Sequence, residues 1–437
     1  MLSGVGQVRR EMRAVTADSL NVVAFPYRND LVEVLRSAAQ QGRRVVLWAP
    51  AADSLARAVA AHFGFIHEVL PGASDRQLSA AEQRSFLETR FKATGFDYIA
   101  GSVADLPLLI AARQGYLVGV SRTAASRAQA SAPNVDVLST NPSKLKAALR
   151  VMRPQQWAKN ALVFVPALLA PGLPSSAQLQ SAALAALALS LCASAGYVFN
   201  DLIDVEADRA HRTKHRRPFA SGDLPVRYGP PLFIALGAAS FGLAIALLPL
   251  AFVAMLAAYF IATVAYSSVL KSKLMVDVVL LAWLYTHRVL AGGIAAGVAV
   301  SAWLLAFSMF MFSSLAFAKR YVELRQSLTK KGQIKSRGYY TDDLEMVASM
   351  GPTAGFIAVL VFCLYIDSNA VTARYRTPVL LWFGAPVLLY WISRVWFLAH
   401  RGHMQDDPVK FALGDWRSWL CAVALASIMV LARFWSV

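Results

Sequence analysis

The segment NDLIDVEAD, residues 200–208, holds the residues whose types and spacing most suggest chemistry. On a continuing helix Asp201, Asp204 and Asp208 lie three and four positions apart, so their carboxylates share one face with Asn200 beside them. Several hard oxygens converging in one place suit Mg2+, which keeps some waters and bridges protein carboxylates to substrate phosphates. A basic run follows at once: Arg209, His211, Arg212, Lys214, His215, Arg216 and Arg217. Acids followed by bases predict a diphosphate held through a metal and through cations. The plainer account is a juxtamembrane loop whose charges neutralise one another while the bases touch anionic lipid. Regularly spaced carboxylates at a helix end repel one another unless a cation offsets them, which favours a site.

The elements that must position this segment are apolar. The 437 residues are 57% hydrophobic and only 16% charged, with a mean hydropathy of +0.47. An ordinary soluble chain carries about 25% charge. Cys192, Cys363 and Cys421 sit within apolar runs, where a thiol behaves as a small hydrophobe, so neither a disulfide scaffold nor a cysteine metal site is expected. No apolar core of signal-peptide length follows the first charges of the chain.

Residues 1–125 read as a small α/β domain, with short apolar runs at 45–48, 65–70, 98–100 and 116–120 alternating with helical patterns. Residues 126–144, rich in Ser, Ala, Asn and Pro, read as a linker. From 145 to 437 the chain reads as an all-α polytopic membrane bundle of about nine helices. Spans are expected near 159–174, 180–199, 230–249, 251–270, 275–296, 302–318, 346–366, 378–398 and 418–435, the first shortened by Pro166, Pro171 and Pro174. Loops 201–229, 271–274, 319–345 and 399–417 are loaded with Lys and Arg, whereas the alternate connections are not. The positive-inside rule then predicts a multi-pass inner-membrane protein with the N-terminal domain and the acidic segment in the cytoplasm. That placement accounts for much of the +17 formal charge through the lipid bilayer, without nucleic acid.

Other polar groups fall on the same side. Arg153, Lys159 and Asn160 precede or open the first span, Tyr266 and Lys271 end the fourth, and Lys319, Arg320 and Glu323 end the sixth. Each has an ordinary role as an interface anchor or snorkelling end, and each could close over the same substrate. Asp277 and Arg288 lie within the fifth span. Three turns separate them by roughly 16 Å, so a direct salt bridge is not expected and Arg288 is the better choice for a phosphate or lipid-headgroup contact. The acidic stretch 406–415 has no helical spacing and is a weaker candidate.

These motifs resemble those of the UbiA superfamily of intramembrane prenyltransferases. NDLIDVEAD matches the first acidic motif of that family, NDxxDxxxD, at Asn200, Asp201, Asp204 and Asp208. The segments RPQQWAKN, YSSVLK and KRYVEL are similar to one branch, the decaprenyl-phosphate phosphoribosyltransferases. The second aspartate-rich motif of the aromatic prenyltransferases is absent, and Lys319, Arg320 and Glu323 stand there instead. The N-terminal domain is similar to the latter half of a haloacid dehalogenase-like phosphatase whose chemistry is lost. Residues 20–35 hold no DxD nucleophile motif, Ala49 and Pro50 replace the expected Thr or Ser, and Asp105 is kept beside Gly101.

The resemblance implies a Mg2+-dependent transferase that displaces diphosphate, with a phosphoribosyl donor and a polyprenyl phosphate acceptor. Prenyl transfer from an allylic diphosphate to an aromatic acceptor is the alternative, since both reactions break a carbon–oxygen bond to diphosphate. An anion transporter is a third reading, weakened because no inverted repeat is visible. An assembly of like chains is compatible with all three.

Overall fold

The structure is a computed structural model that describes residues 22, 25, 27–48, 53–70, 80–211, 213–327, 338–372, 374–404 and 408–435. Its described residues form two compact units, Met1–Arg150 with Asp204–Val226, and Val151–Ile203 with Arg227–Val437.

The first unit alternates helices and parallel strands. Helix α1 (Asn29–Gln40) leads to β1 (Val46–Trp48), α2 (Asp53–Phe63), β2 (Glu68–Leu70), α3 (Ala80–Arg90), β3 (Tyr98–Ala100), α4 (Leu106–Ala111), β4 (Gly115–Val120), α5 (Arg122–Ser131) and β5 (Val135–Thr140). Strands β1 and β2 pair parallel, and β3, β4 and β5 form a second parallel sheet in that order. The stretch expected as a linker, 126–144, therefore carries structure. Ala125, Ala128 and Ala132 form a buried small-residue face at helical spacing, and Val135 opens a strand beside β4. Alanine gives so little contrast with Ser and Asn that this amphipathic face is faint in the sequence. Helix α6 (Lys144–Met152) follows β5.

The second unit is helical. A 3₁₀ helix at Pro154–Phe164 and the short α7 (Val165–Leu169) stand where the first span was expected. Pro154, Pro166, Pro171 and Pro174 remove backbone donors along this segment and prevent one long α-helix. After it come α8 (Ser176–Ile203), α9 (Val205–Arg209) and α10 (Pro218–Ser221), the latter two in the first unit. The rest of the bundle is α11 (Gly229–Leu247), α12 (Leu250–Ser268), α13 (Val276–Ala296), α14 (Ala302–Ser327), α15 (Leu344–Ile366), α16 (Asn369–Thr372), α17 (Gly384–His400), α18 (Pro408–Gly414) and α19 (Trp416–Phe434). Among the described residues eight helices are long and apolar enough to cross a membrane, matching the expected spans other than the first. The chain is a multi-pass membrane protein.

Small residues set how closely these helices approach, because lipid tails offer no hydrophobic force that drives helices together. Ser240 of α11 donates its hydroxyl to the Ala188 carbonyl of α8 at 2.7 Å. On the other side of the bundle Ser314 of α14 donates to the Gly351 carbonyl of α15 at 2.7 Å and receives the Trp396 indole N–H of α17 at 3.0 Å. The ring of helices closes at its seam, where Arg433 of α19 donates to the carbonyls of Ala170 (2.7 Å) and Gly172 (2.6 Å).

The tightest approach to a backbone atom is at Gly292 of α13, where an added Cβ would lie 2.1 Å from the Val163 carbonyl oxygen of the 3₁₀ helix. A rigid backbone atom cannot yield as a side-chain end can. Gly292→Ala is therefore expected to destabilise the detergent-solubilised protein by about 1–3 kcal/mol. Gly237→Ala on α11, with nothing within 4 Å, is expected to be neutral or slightly stabilising. Paired thermal unfolding curves check both, and equal midpoints would remove the close-approach argument.

Candidate active site

The acidic segment begins on α8 and leaves it. Asn200 and Asp201 lie in the last turn, the helix ends at Ile203, and Asp204 (φ −86°, ψ 5°) separates it from α9, which carries Asp208. The expectation of one continuing helix with three carboxylates on a face is corrected by this break. A helix C-terminus carries partial negative charge, so a ladder of acids there is unfavourable. Asn200 and Asp201 thus belong to the second unit and Asp204 and Asp208 to the first.

Each buried acid has an arginine. Asp201 is 2% exposed and accepts from Arg153 Nη2 at 2.6 Å. Arg153 also lies over the ring of Tyr197, one turn before Asp201, with 5.0 Å from guanidinium carbon to centroid. Its backbone is left-handed (φ 52°, ψ 58°) although Pro154 follows. A non-glycine residue before proline is strongly biased towards extended conformations, so local strain is held here by the surrounding contacts. Asp208 is 3% exposed and accepts from Arg217 Nη1 at 2.7 Å. Lys214 stands in the 3₁₀ turn Lys214–Arg216 of the same unit, and Arg212 lies outside the described residues.

A second polar group fills the interior of the bundle. Arg288 of α13 donates from Nε to Asn160 Oδ1 (2.8 Å), from Nη2 to the Tyr259 hydroxyl of α12 (2.8 Å) and from Nη1 to the Leu284 carbonyl (2.5 Å). Asn160 is buried and donates in turn to Ser190 of α8 at 2.8 Å. Lys159 Nζ and the Arg288 guanidinium carbon each stand 5.4 Å from the Tyr285 ring centroid. Two cations on one aromatic ring give this interior the sign an anionic substrate requires. The structure thus brings together Lys159, Asn160 and Arg288, and it directs Arg288 at protein groups.

Asp277, also on α13, has different partners, as its separation from Arg288 predicts. Its carboxylate lies 2.7 Å from Arg320 Nε of α14 and accepts the Tyr339 hydroxyl at 2.9 Å. Arg320 also bonds Glu323 one turn on. Lys319 shares that stretch of α14, while Tyr266 lies in the last turn of α12 and Lys271 in the 3₁₀ turn Leu270–Ser272. Tyr197, Tyr259, Tyr285 and Tyr339 escaped the sequence reading. Only Tyr197, four residues before Asp201, had a readable signal.

In the first unit Asp105 ends the 3₁₀ turn Val103–Asp105, and burial raises its carboxyl above the usual range. Burial, and then the Asp105 charge, push the Tyr98 hydroxyl up to about 12. Ala49 and Pro50, and Asp406 and Asp407 of the weaker acidic stretch, lie outside the described residues.

Among the described residues no three His, Cys, Asp or Glu side chains gather closely enough to hold a metal ion. Asn200, Asp201, Asp204 and Asp208 each offer the hard oxygen that Mg2+ takes, and Asp201 and Asp208 are buried. The second unit also carries an apolar pocket of about 200 Å3, lined among others by Leu169, Phe307, Leu388, Leu425 and Met429.

The model of the UbiA prenyltransferase family matches residues 161–419. The uncharacterized protein y4nM of Sinorhizobium fredii is 33% identical across 95% of this chain and 80% of its own length. The decaprenyl-phosphate phosphoribosyltransferase of Mycobacterium tuberculosis is 30% identical across 66% of this chain and 95% of its own. Among solved structures, a UbiA homolog from Archaeoglobus fulgidus bound to DMAPP and Mg2+ covers 65% of this chain and 99% of its own, with a TM-score of 0.50. At 17% identity that likeness concerns the fold alone.

Arg320 is 1% exposed, so its removal strands the Asp277 carboxylate. Arg320→Met is expected to cost about 3–5 kcal/mol, and the double variant Arg320→Met/Asp277→Leu to recover most of it. Denaturation of the three proteins in one detergent tests this. Additive losses in the double variant would show that the two side chains do not depend on each other.

Proposed function

The chain belongs to the UbiA prenyltransferase family and is a transferase of that family, and from this premise we propose that it moves a phosphoribosyl group from phosphoribosyl diphosphate to a polyprenyl phosphate. The observation that carries this reading is its likeness to the Mycobacterium tuberculosis decaprenyl-phosphate phosphoribosyltransferase across 95% of that protein. The environment of Arg320 supports it. Where the aromatic prenyltransferases have a second acidic motif, this chain has a buried cation engaged by Asp277 and Glu323.

In this reading Asn200, Asp201, Asp204 and Asp208 would hold Mg2+, which would supply Lewis-acid assistance to the departure of diphosphate. The bases Arg153, Lys159, Lys271, Arg212, Lys214 and Arg217 would share the phosphate charges and offset the negative charge that grows as diphosphate leaves. Tyr266, Lys319, Arg320 and Glu323 complete the polar end of the bundle. Arg288 and Asn160 fix the 3₁₀ helix that presents Lys159. An ionised phosphate oxygen of the acceptor attacks the anomeric carbon, so no strong general base is needed. The apolar pocket offers room for part of the isoprenoid tail.

The basic loops support a cytoplasmic position for this end of the bundle and for the N-terminal unit at the inner membrane. The N-terminal unit is a haloacid dehalogenase-like remnant with a structural or regulatory role, since the residues read from its sequence lack the phosphatase nucleophile.

Purified protein supplied with Mg2+, labelled phosphoribosyl diphosphate and a polyprenyl phosphate is expected to yield a lipid-extractable labelled product. Transfer seen only with an allylic diphosphate donor would replace this reading by prenylation, and vesicle uptake without product would replace it by transport. Asp204→Ala and Asp208→Ala are each expected to lower turnover by at least about a hundredfold, in the range found when charge-stabilising groups are removed. Asp105→Ala is expected to leave turnover unchanged. Full activity of Asp204→Ala would remove the assigned site.

A further inference from the structure

Helix α6, Lys144–Met152, has an apolar face that the protein leaves uncovered. Its sequence KLKAALRVM contains three bases and no acid. Ala147 and Val151, one turn apart, are fully buried and fix one side of the helix. On another side Leu145 and Leu149, also one turn apart, are 71% and 48% exposed. Leu145 is the most exposed large apolar side chain among the described residues of its unit. Lys144 and Lys146 flank it in exposed positions, and Arg150 is engaged by Asp223 at 2.6 Å.

The C-terminal end of α6 is attached to the membrane bundle. The Met152 carbonyl accepts the Ser194 hydroxyl of α8 at 2.9 Å, and the same hydroxyl receives the Trp157 indole N–H at 3.0 Å. A helix tied at one end to a membrane-crossing helix, with two leucines uncovered and lysines beside them, has the composition of an interfacial helix. From this geometry we infer that α6 lies in the membrane interface on the side of the basic loops, with Leu145 and Leu149 among the acyl chains and Lys144 and Lys146 at anionic lipid headgroups. The occupant follows from continuity with the bilayer and from charge. A leaflet of negative surface potential attracts a juxtamembrane helix that carries bases without acids.

The test uses the full chain in vesicles, with Cys192, Cys363 and Cys421 replaced by alanine and a single NBD-labelled cysteine at 145, 146 or 149. Lipids that carry a nitroxide on the acyl chain are expected to quench the label at 145 and 149, and aqueous iodide to quench it at 146. In vesicles containing phosphatidylglycerol the emission at 149 is expected to be blue-shifted relative to pure phosphatidylcholine. Iodide quenching at all three positions would overturn the inference by placing the leucines in water. Protection from both quenchers would overturn it by placing them against protein, for example a second copy of the chain. Equal emission in the two lipids would remove the anionic-lipid part. With all three cysteines kept, p-benzoylphenylalanine at 149 should capture phospholipid on illumination, and its failure to do so counts against the inference independently of how the cysteine-free protein folds.

Discussion

A charge withdrawn from water into a bundle of helices must find its partner on another part of the protein, because the surrounding lipid supplies no hydrogen bonds. That constraint organises the membrane unit. Asp201 takes Arg153, Arg288 takes Asn160 and Tyr259, and Asp277 takes Arg320. Each set joins elements far apart in the chain: Arg288 and Asn160 are separated by 128 residues and Asp277 and Tyr339 by 62. The polar groups therefore fix which helices are neighbours as well as the electrical character of the interior.

Close packing and charge pairing support each other. The 3₁₀ helix comes within backbone contact of α13 at Gly292, and this approach lets Asn160 reach Arg288 on the same helix. A bulkier residue at 292 would push away the segment that carries Arg153, Lys159 and Asn160. The strained backbone at Arg153 belongs to the same arrangement. The chain turns sharply there before Pro154, and the side chain is delivered to Asp201 and Tyr197.

Much of this was legible in the sequence where a single physical signal dominates. Runs of about twenty apolar residues marked eight of the spans, and the charge of the acidic and basic segments identified the groups worth following. The first membrane segment was read as a span because apolar composition outweighed its prolines, yet the missing donors decide its 3₁₀ form. Helix α5 is hidden because its buried face is alanine, which leaves little contrast in hydropathy. The spacing of the acidic segment predicts one helix, because spacing carries no information about electrostatic cost at a helix end. Tyr259 and Tyr339 were invisible, since a tyrosine in an apolar run looks the same whether or not a distant guanidinium or carboxylate awaits it.

The seam at Arg433 has a bearing on how the molecule is made. Its partners Ala170 and Gly172 precede it by 263 and 261 residues, so the ring cannot shut while the ribosome is still producing the intervening helices. At the usual pace of synthesis that interval is on the order of ten to fifty seconds. Throughout it the carbonyls of Ala170 and Gly172 lack the Arg433 donor. The contact between the opening segment and the final helix can therefore form only after that helix has emerged.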